Sequence, residues 1–424
     1  MRAANPGTSL RRTLGLADAV AIGIGAVVGA GIFVVTGVAA GVAGPAFLVA
    51  LAIAGMAATC NALSSAQLAA EYPQAGGAYE YGHRVLHPWA GFAAGWLFLA
   101  SKTAAAGAVG LGLGAYLAVL APGVPARAVA VGAVAVFTAL NVWGVRKSAA
   151  ANLAIVAVAV TSLLVFSVVA LASFDAARLR PFAPAGAGGV MRAAALLFFA
   201  YTGYARVATL GEEVREPRTT IPRAISITVT GALVLYALVA LAAVGAAGAP
   251  ALAASAAPLA EVARRLSAPW LVTAVAAGAV AAMLGVLLSQ ILGLSRMVFA
   301  LARRGDLPEW LAHVDERSGA PTRAVVLVGV VAGGVAAWGS LPGIAAAASF
   351  AILVYYGIAN VAALRMPREA RLFPDAVPAT GLVACAALAL SLTPATIATG
   401  VATLAVGFAV RAAVRGLARG AARG

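Results

Sequence analysis

Apolar residues along this chain gather into long runs separated by short polar or proline-containing connections. Twelve runs stand out, over approximately 16–42, 45–70, 89–120, 126–145, 152–172, 190–211, 224–247, 270–300, 324–341, 342–364, 376–393 and 395–412. A helix needs about 20 apolar residues to cross a bilayer, so each run predicts one spanning helix. The connections leave no room for a soluble domain. Runs three and eight exceed what a bilayer requires, which predicts tilting or extension into the cytoplasm.

Two runs are broken by glycine near their middle, at GIGAVVGAGIF (23–33) and at FFAYTGYAR (198–206). Each glycine costs a helix about 1 kcal/mol relative to alanine, and several together invite the backbone to unwind. Unwound backbone survives in a membrane only where it is buried in protein or lines a polar cavity. Runs one to five and six to ten each begin with a broken helix. An odd number of spans per repeat gives the two repeats opposite orientations, an inverted repeat with its site near the midplane. The predicted organisation is an all-α membrane protein. It has an N-terminal segment (1–15), a first repeat (16–172), a second repeat (190–364), an added hairpin (376–412) turning at Thr393-Pro394, and a basic tail (413–424).

Composition agrees. Of 424 residues, 63% are hydrophobic and 10% charged, with mean hydropathy +0.98; no soluble domain of this length hides so much apolar surface. The first run is placed like a signal peptide, but its length and the lack of a small-residue cleavage site predict that it is retained. Cys60 and Cys385 fall inside predicted helices and suggest neither a disulfide nor a metal pair. His83, His87 and His313 lie in connections and form no ligand cluster, so neither a metal site nor a cofactor is expected.

The net charge of +15 would suit nucleic acid until its distribution is read. With the N-terminus inside, 21 cations fall on inner segments, among them Arg2, Arg11, Arg12, Arg146, Lys147, Arg317 and the tail arginines Arg411, Arg415, Arg419 and Arg423. Six fall outside: Arg127, Arg178, Arg180, Arg192, Arg264 and Arg265. This positive-inside bias predicts both termini in the cytoplasm and no nucleic-acid partner. Heavy use of arginine and alanine points to a bacterial genome, hence a multi-pass protein of the bacterial inner membrane. The tail reads as a solvated flank, with contact to anionic lipid headgroups as the alternative. The inner loop EYPQAGGAYEY (71–81) reads as turn-rich or re-entrant. The inner loop from Glu212 to Arg223 carries mixed charges, either solvated or paired with the arginines after run eight.

At GAVVGAGIF (25–33), EYPQAGGAYEY (71–81), GW (95–96), FFAYTGYARVATLGEEVREPRTTIPRAI (198–225) and SRMVFALARRGDLP (295–308), the chain resembles the amino acid–polyamine–organocation superfamily. The pieces occur in that family's order and cover both repeats. The resemblance implies the LeuT-type fold: 12 transmembrane helices in a 5+5 inverted repeat, with discontinuous helices 1 and 6 and a C-terminal helical hairpin. It also implies an amino acid substrate. Gly29, Ala30 and Gly31 would offer N–H groups to its carboxylate, and carbonyls around Ala26, Val27, Phe199, Ala200 and Thr202 would receive its ammonium. A helix N-terminus suits a carboxylate in any case. The alternative is that these glycines serve only close helix packing, as the spacing of Gly25 and Gly29 allows. By resemblance Phe199 is a gate over the substrate; otherwise it is a core phenylalanine like Phe198.

Lys102 is the only lysine at membrane depth, and no carboxylate lies near the centre of any run. A charge at that depth is a functional hypothesis by default. Burial penalises a charged amine, so Lys102 is a candidate to bind and release a proton during transport. Some members of the superfamily carry such a lysine in helix five; here Ala159 stands there, with Thr161 and Ser162 nearby. The alternative for Lys102 is a static lysine that snorkels or pairs with carbonyls. Ser289 and Gln290 in run eight would support Lys102 or a bound ion. They offer too few oxygens to favour sodium over a proton. Arg206 would meet a substrate acid or face the cytoplasmic vestibule beside Glu212 or Glu213, and it disfavours a cationic substrate.

These residues point to a secondary transporter for neutral or hydrophobic amino acids, proton-coupled and working by alternating access. Within transport the alternatives are an amino acid exchanger and an amine or polyamine permease, the latter expected to carry acids in its pocket. A non-transporting sensor would need a signalling segment. An enzyme is not expected: there is no HExxH, no paired carboxylate and no Ser/His/Asp set. The sequence also lacks the GxxxxGK[ST] loop of an ATP-driven machine.

Overall fold

The computed structural model describes residues 14–74, 76–144, 149–208, 213–315 and 319–421. Arg2, Arg11, Arg12, Arg146, Lys147, Glu212, Arg317 and Arg423 lie outside the described residues, as does the side chain of Arg419. The described residues are helical apart from their connections, and one isolated bridge joins Leu14 to Val214.

The first apolar run is not one helix. α1 (Leu16–Val27) stops where Val28 turns extended, at φ −73° and ψ 103°. A wide turn over Gly31–Val35 then leads into α2 (Thr36–Ala43). Next come α3 (Phe47–Glu71), the short α4 (Ala78–Tyr81), a second wide turn over Gly82–Leu86, and α5 (Pro88–Leu120). The loop at 71–81 is thus partly helical. α6 (Ala126–Val142) and α7 (Ala149–Leu171) follow. The second broken run gives α8 (Gly186–Tyr201), one tight turn over Thr202–Tyr204, and α9 (Ala205–Ala208). Beyond it lie α10 (Pro217–Ala247), α11 (Ala249–Ala253), α12 (Pro258–Arg265) and α13 (Pro269–Arg303). α14 (Thr322–Trp338), α15 (Leu341–Leu364), α16 (Ala376–Leu390) and α17 (Pro394–Ala421) complete the chain.

Proline opens α5, α10, α12, α13 and α17, where its missing N–H is no loss. Gly248, at φ 78°, ends α10 in a conformation that glycine alone adopts readily. Among the described residues, seven helical segments are long and apolar enough to cross a membrane; α6, α14 and α16 are apolar but shorter.

α5 lies deep in the bundle, packed on α13, α15 and α6. Small residues let the two broken helices cross in direct contact. A Cβ at Gly31 would lie 2.5 Å from Ala200 Cα, and one at Gly203 would strike the carbonyl of Ala26. Such backbone contact is how membrane helices gain dispersion energy that lipid does not supply. Tyr236 of α10 ties the crossing: its hydroxyl lies 2.8 Å from Val27 O and 3.2 Å from Ala200 O.

Candidate functional site

Beside the crossing of the two breaks, one cavity of about 370 Å³ opens between α1, α5, α9 and α13. Half of the predicted site residues line it: Ala26, Lys102, Thr202, Arg206, Ser289 and Gln290. Its apolar wall includes Phe98, Val286 and Met297, and it extends to Gly76, Glu213 and Arg296. The volume falls in the range of small-molecule sites.

Lys102 projects from α5 to the second break. Its Nζ donates to Thr202 Oγ1 at 2.9 Å and to Thr202 O at 3.3 Å. Thr202 can accept there because its own hydroxyl hydrogen goes to Phe199 O, 2.9 Å away. From α13, Gln290 Nε2 donates to the backbone carbonyl of Lys102. A side chain of α13, the main chain of α5 and the broken end of α8 are therefore joined in one hydrogen-bonded line. Ser289 turns its hydroxyl to the carbonyls of Gly285 and Val286, both at 3.0 Å, within its own helix.

The remaining predicted residues form the crossing behind the cavity. Gly31 packs on Ala200, Gly29 faces Val286, and Val27, Ala30 and Ala200 are buried. Phe199 is also buried, 9% exposed, and does not line the cavity. Four of the five carbonyls expected to receive an ammonium have side-chain partners here: Thr202 O holds Lys102, Phe199 O holds the Thr202 hydroxyl, and Val27 O and Ala200 O share Tyr236. Gly31 opens the wide turn with Ala30 as its N-cap, and the first N–H groups of a helical segment find no partner within it.

Arg206 lines the cavity with Glu213 and Arg296 as its charged neighbours. Arg218, at the start of α10, pairs with Glu71 at 2.9 Å, and Arg304, after α13, pairs with Glu80. Two residues escaped the sequence reading. Tyr236 carries no motif, only its place in the middle of a run. Arg296 reads as an ordinary inner cation, yet α13 extends far enough to place it on the cavity wall. Among the described residues, no group of three or more His, Cys, Asp or Glu side chains could hold a metal ion.

Comparison with known proteins now adds to the geometry. The amino acid permease family matches residues 18–416. An uncharacterized transporter of Mycobacterium tuberculosis is 45% identical over 94% of this chain and 90% of its own length. A branched-chain amino acid permease of Bacillus subtilis is 28% identical over 94% and 92%. A methylthioribose transporter of the same bacterium is 30% identical over 85% and 82%. With an all-helical bundle, broken helices that meet, and a cavity at their meeting point, this chain belongs to the amino acid permease family of membrane transporters.

Proposed function

We propose that the protein is a secondary active transporter that takes up neutral or hydrophobic L-amino acids with protons by alternating access. It sits in a bacterial inner membrane as a 5+5 inverted repeat with both termini cytoplasmic. The observation that carries the reading is Lys102, whose ammonium is held on Thr202 at the broken end of α8 inside the cavity. A cation that bridges a scaffold helix and a broken helix holds that helix in place. Loss of the proton removes the charge and weakens the hold, so protonation and the position of the broken helix are linked. The substrate carboxylate meets the N–H groups of Gly29, Ala30 and Gly31. Its ammonium meets the carbonyls of Ala26, Val27, Phe199, Ala200 and Thr202 once their present partners give way, and Phe199 closes over it. Arg206 and Arg296 make the cavity a poor place for a cationic side chain. The apolar wall of Phe98, Val286 and Met297 suits an apolar one. The branched-chain permease among the relatives supports that substrate class.

The same contact also favours a second reading. If the Lys102 ammonium never releases its proton, it is a fixed stand-in for a coupling ion, and the protein is an exchanger. Uptake of a panel of radiolabelled amino acids into proteoliposomes, in sodium-free buffer with and without an inward proton gradient, separates the two. Accumulation that requires the gradient supports the symporter. Uptake only into liposomes preloaded with amino acid supports the exchanger. No uptake of any amino acid under either condition overturns both.

A further inference from the structure

Two of the sequence motifs reach beyond the cavity, the tyrosine-rich loop 71–81 and the segment 295–308. They meet each other, and the C-terminal helix, in one buried polar cluster. Asp306 is fully buried. Its carboxylate accepts from Tyr79 Oη at 3.0 Å, from Arg411 Nε at 2.7 Å and from Arg415 Nη2 at 2.9 Å. Arg411 is itself 1% exposed and lies 4.8 Å from the ring centres of both Trp89 and Phe92. Next to Tyr79 in the chain, Glu80 is held by Arg84 and Arg304. The cluster thus fastens α4 and its following turn, the end of α13, and α17. Gly76 and Ala300, just outside it, line the cavity.

His83 sits among these groups. Its ring lies against Gly91 of α5, where a Cβ would collide with it. Nδ1 is 2.8 Å from Tyr79 O, which can only accept, so Nδ1 carries the hydrogen. The bare Nε2 then faces Asp306 Oδ2 at 3.8 Å, beyond hydrogen-bonding distance. The charged groups around it are two carboxylates, Glu80 and Asp306, and four guanidinium groups, Arg84, Arg304, Arg411 and Arg415. A proton on His83 adds a fifth cation to a cluster already in positive excess. Burial, Arg304 and Arg411 all push its pKa below the usual histidine range, against the pull of Tyr79 and Asp306. In the sign of the linkage, a group that binds its proton less firmly in the packed cluster than in water favours the unpacked state as pH falls through that range.

We propose that this cluster is a latch at the end of the molecule toward which the cavity extends, with Asp306 as its positioning residue and His83 as the arm whose protonation releases it. Its part in transport rests on the alternating-access reading above; its mechanics do not.

The test reads distance and needs no substrate. Spin labels replace Leu417 and Trp310, both exposed, in the full-length protein carrying Cys60→Ala, in detergent. Double electron–electron resonance is recorded at about pH 7.5 and about pH 5.5, on either side of the ordinary histidine pKa. The expected result is one distance at the higher pH and a second, longer population at the lower. His83→Gln keeps the single distance at both. Arg415→Gln, at a half-exposed position, already shows the longer population at the higher pH. Lys102→Met keeps the acid shift. The latch is overturned if the unsubstituted protein shows no acid shift, if His83→Gln shifts as it does, or if Arg415→Gln stays closed. A shift that disappears with Lys102 instead would assign the titration to the cavity.

Discussion

At the scale of single residues, Lys102 and the glycines at the breaks make the sharpest tests. Lys102 bonds Thr202 through both its hydroxyl and its carbonyl. Lys102→Met keeps the length of the chain and removes the charge. Its uptake is expected to become indifferent to the proton gradient, and a gradient-dependent rate equal to that of the unsubstituted protein would remove Lys102 from the coupling mechanism. Gly203→Ala drives a methyl into the Ala26 carbonyl. Overpacking of this kind typically costs about 1–3 kcal/mol, so a lower melting temperature in detergent is expected. Gly231→Ala, inside α10 with Ile24 Cδ1 as its nearest neighbour at 3.5 Å, should not lower melting. Lys102 was legible in the sequence because a charge stands out against an apolar run. Its partner was not, because nothing in one dimension says that α5 at residue 102 lies beside the break at residue 202.

At the scale of elements, the structure depends on a few polar ties across apolar helices. Tyr236 joins α10 to both breaks. Tyr236→Phe removes that hydroxyl and leaves two buried carbonyls short of a donor, a loss of about 1–3 kcal/mol. A lower melting temperature is expected together with a changed apparent affinity for substrate, since the lost tie lies where the breaks cross; uptake kinetics and melting would both have to stay unchanged for the tie to be idle. Gln67 of α3 accepts from the backbones of Leu372 and Phe373, both at 3.2 Å, and pins the connection between α15 and α16. The helices themselves were readable from hydropathy, and each of the twelve runs has a helical counterpart. The cuts inside the first and sixth runs were readable from glycine. The wide turns over Gly31–Val35 and Gly82–Leu86 were not, since their shape follows from what packs against them.

For the whole molecule, orientation is the open physical question that charge can answer. The excess of cations on alternate connections predicts an inactive alkaline phosphatase when it is fused after residue 417, and an active one when it is fused in the connection near Arg180. The opposite pattern would invert the molecule and with it the direction in which the cavity faces. The tie between α17 and Asp306 also changes the standing of the C-terminal hairpin. Read from sequence it is an addition outside the repeats. In three dimensions its Arg411 is buried in an ion pair with the end of α13. By itself the sequence determined the membrane as solvent, the number of apolar runs, the places where helices break and the one lysine within an apolar run, because each follows from local composition and spacing. Only the tertiary structure decided that the two breaks touch, that Lys102 meets Thr202, that Arg296 joins the cavity and that Asp306 gathers three distant segments. Those contacts depend on which helix faces pack together, and packing couples residues hundreds of positions apart through small side chains that carry no signal of their own.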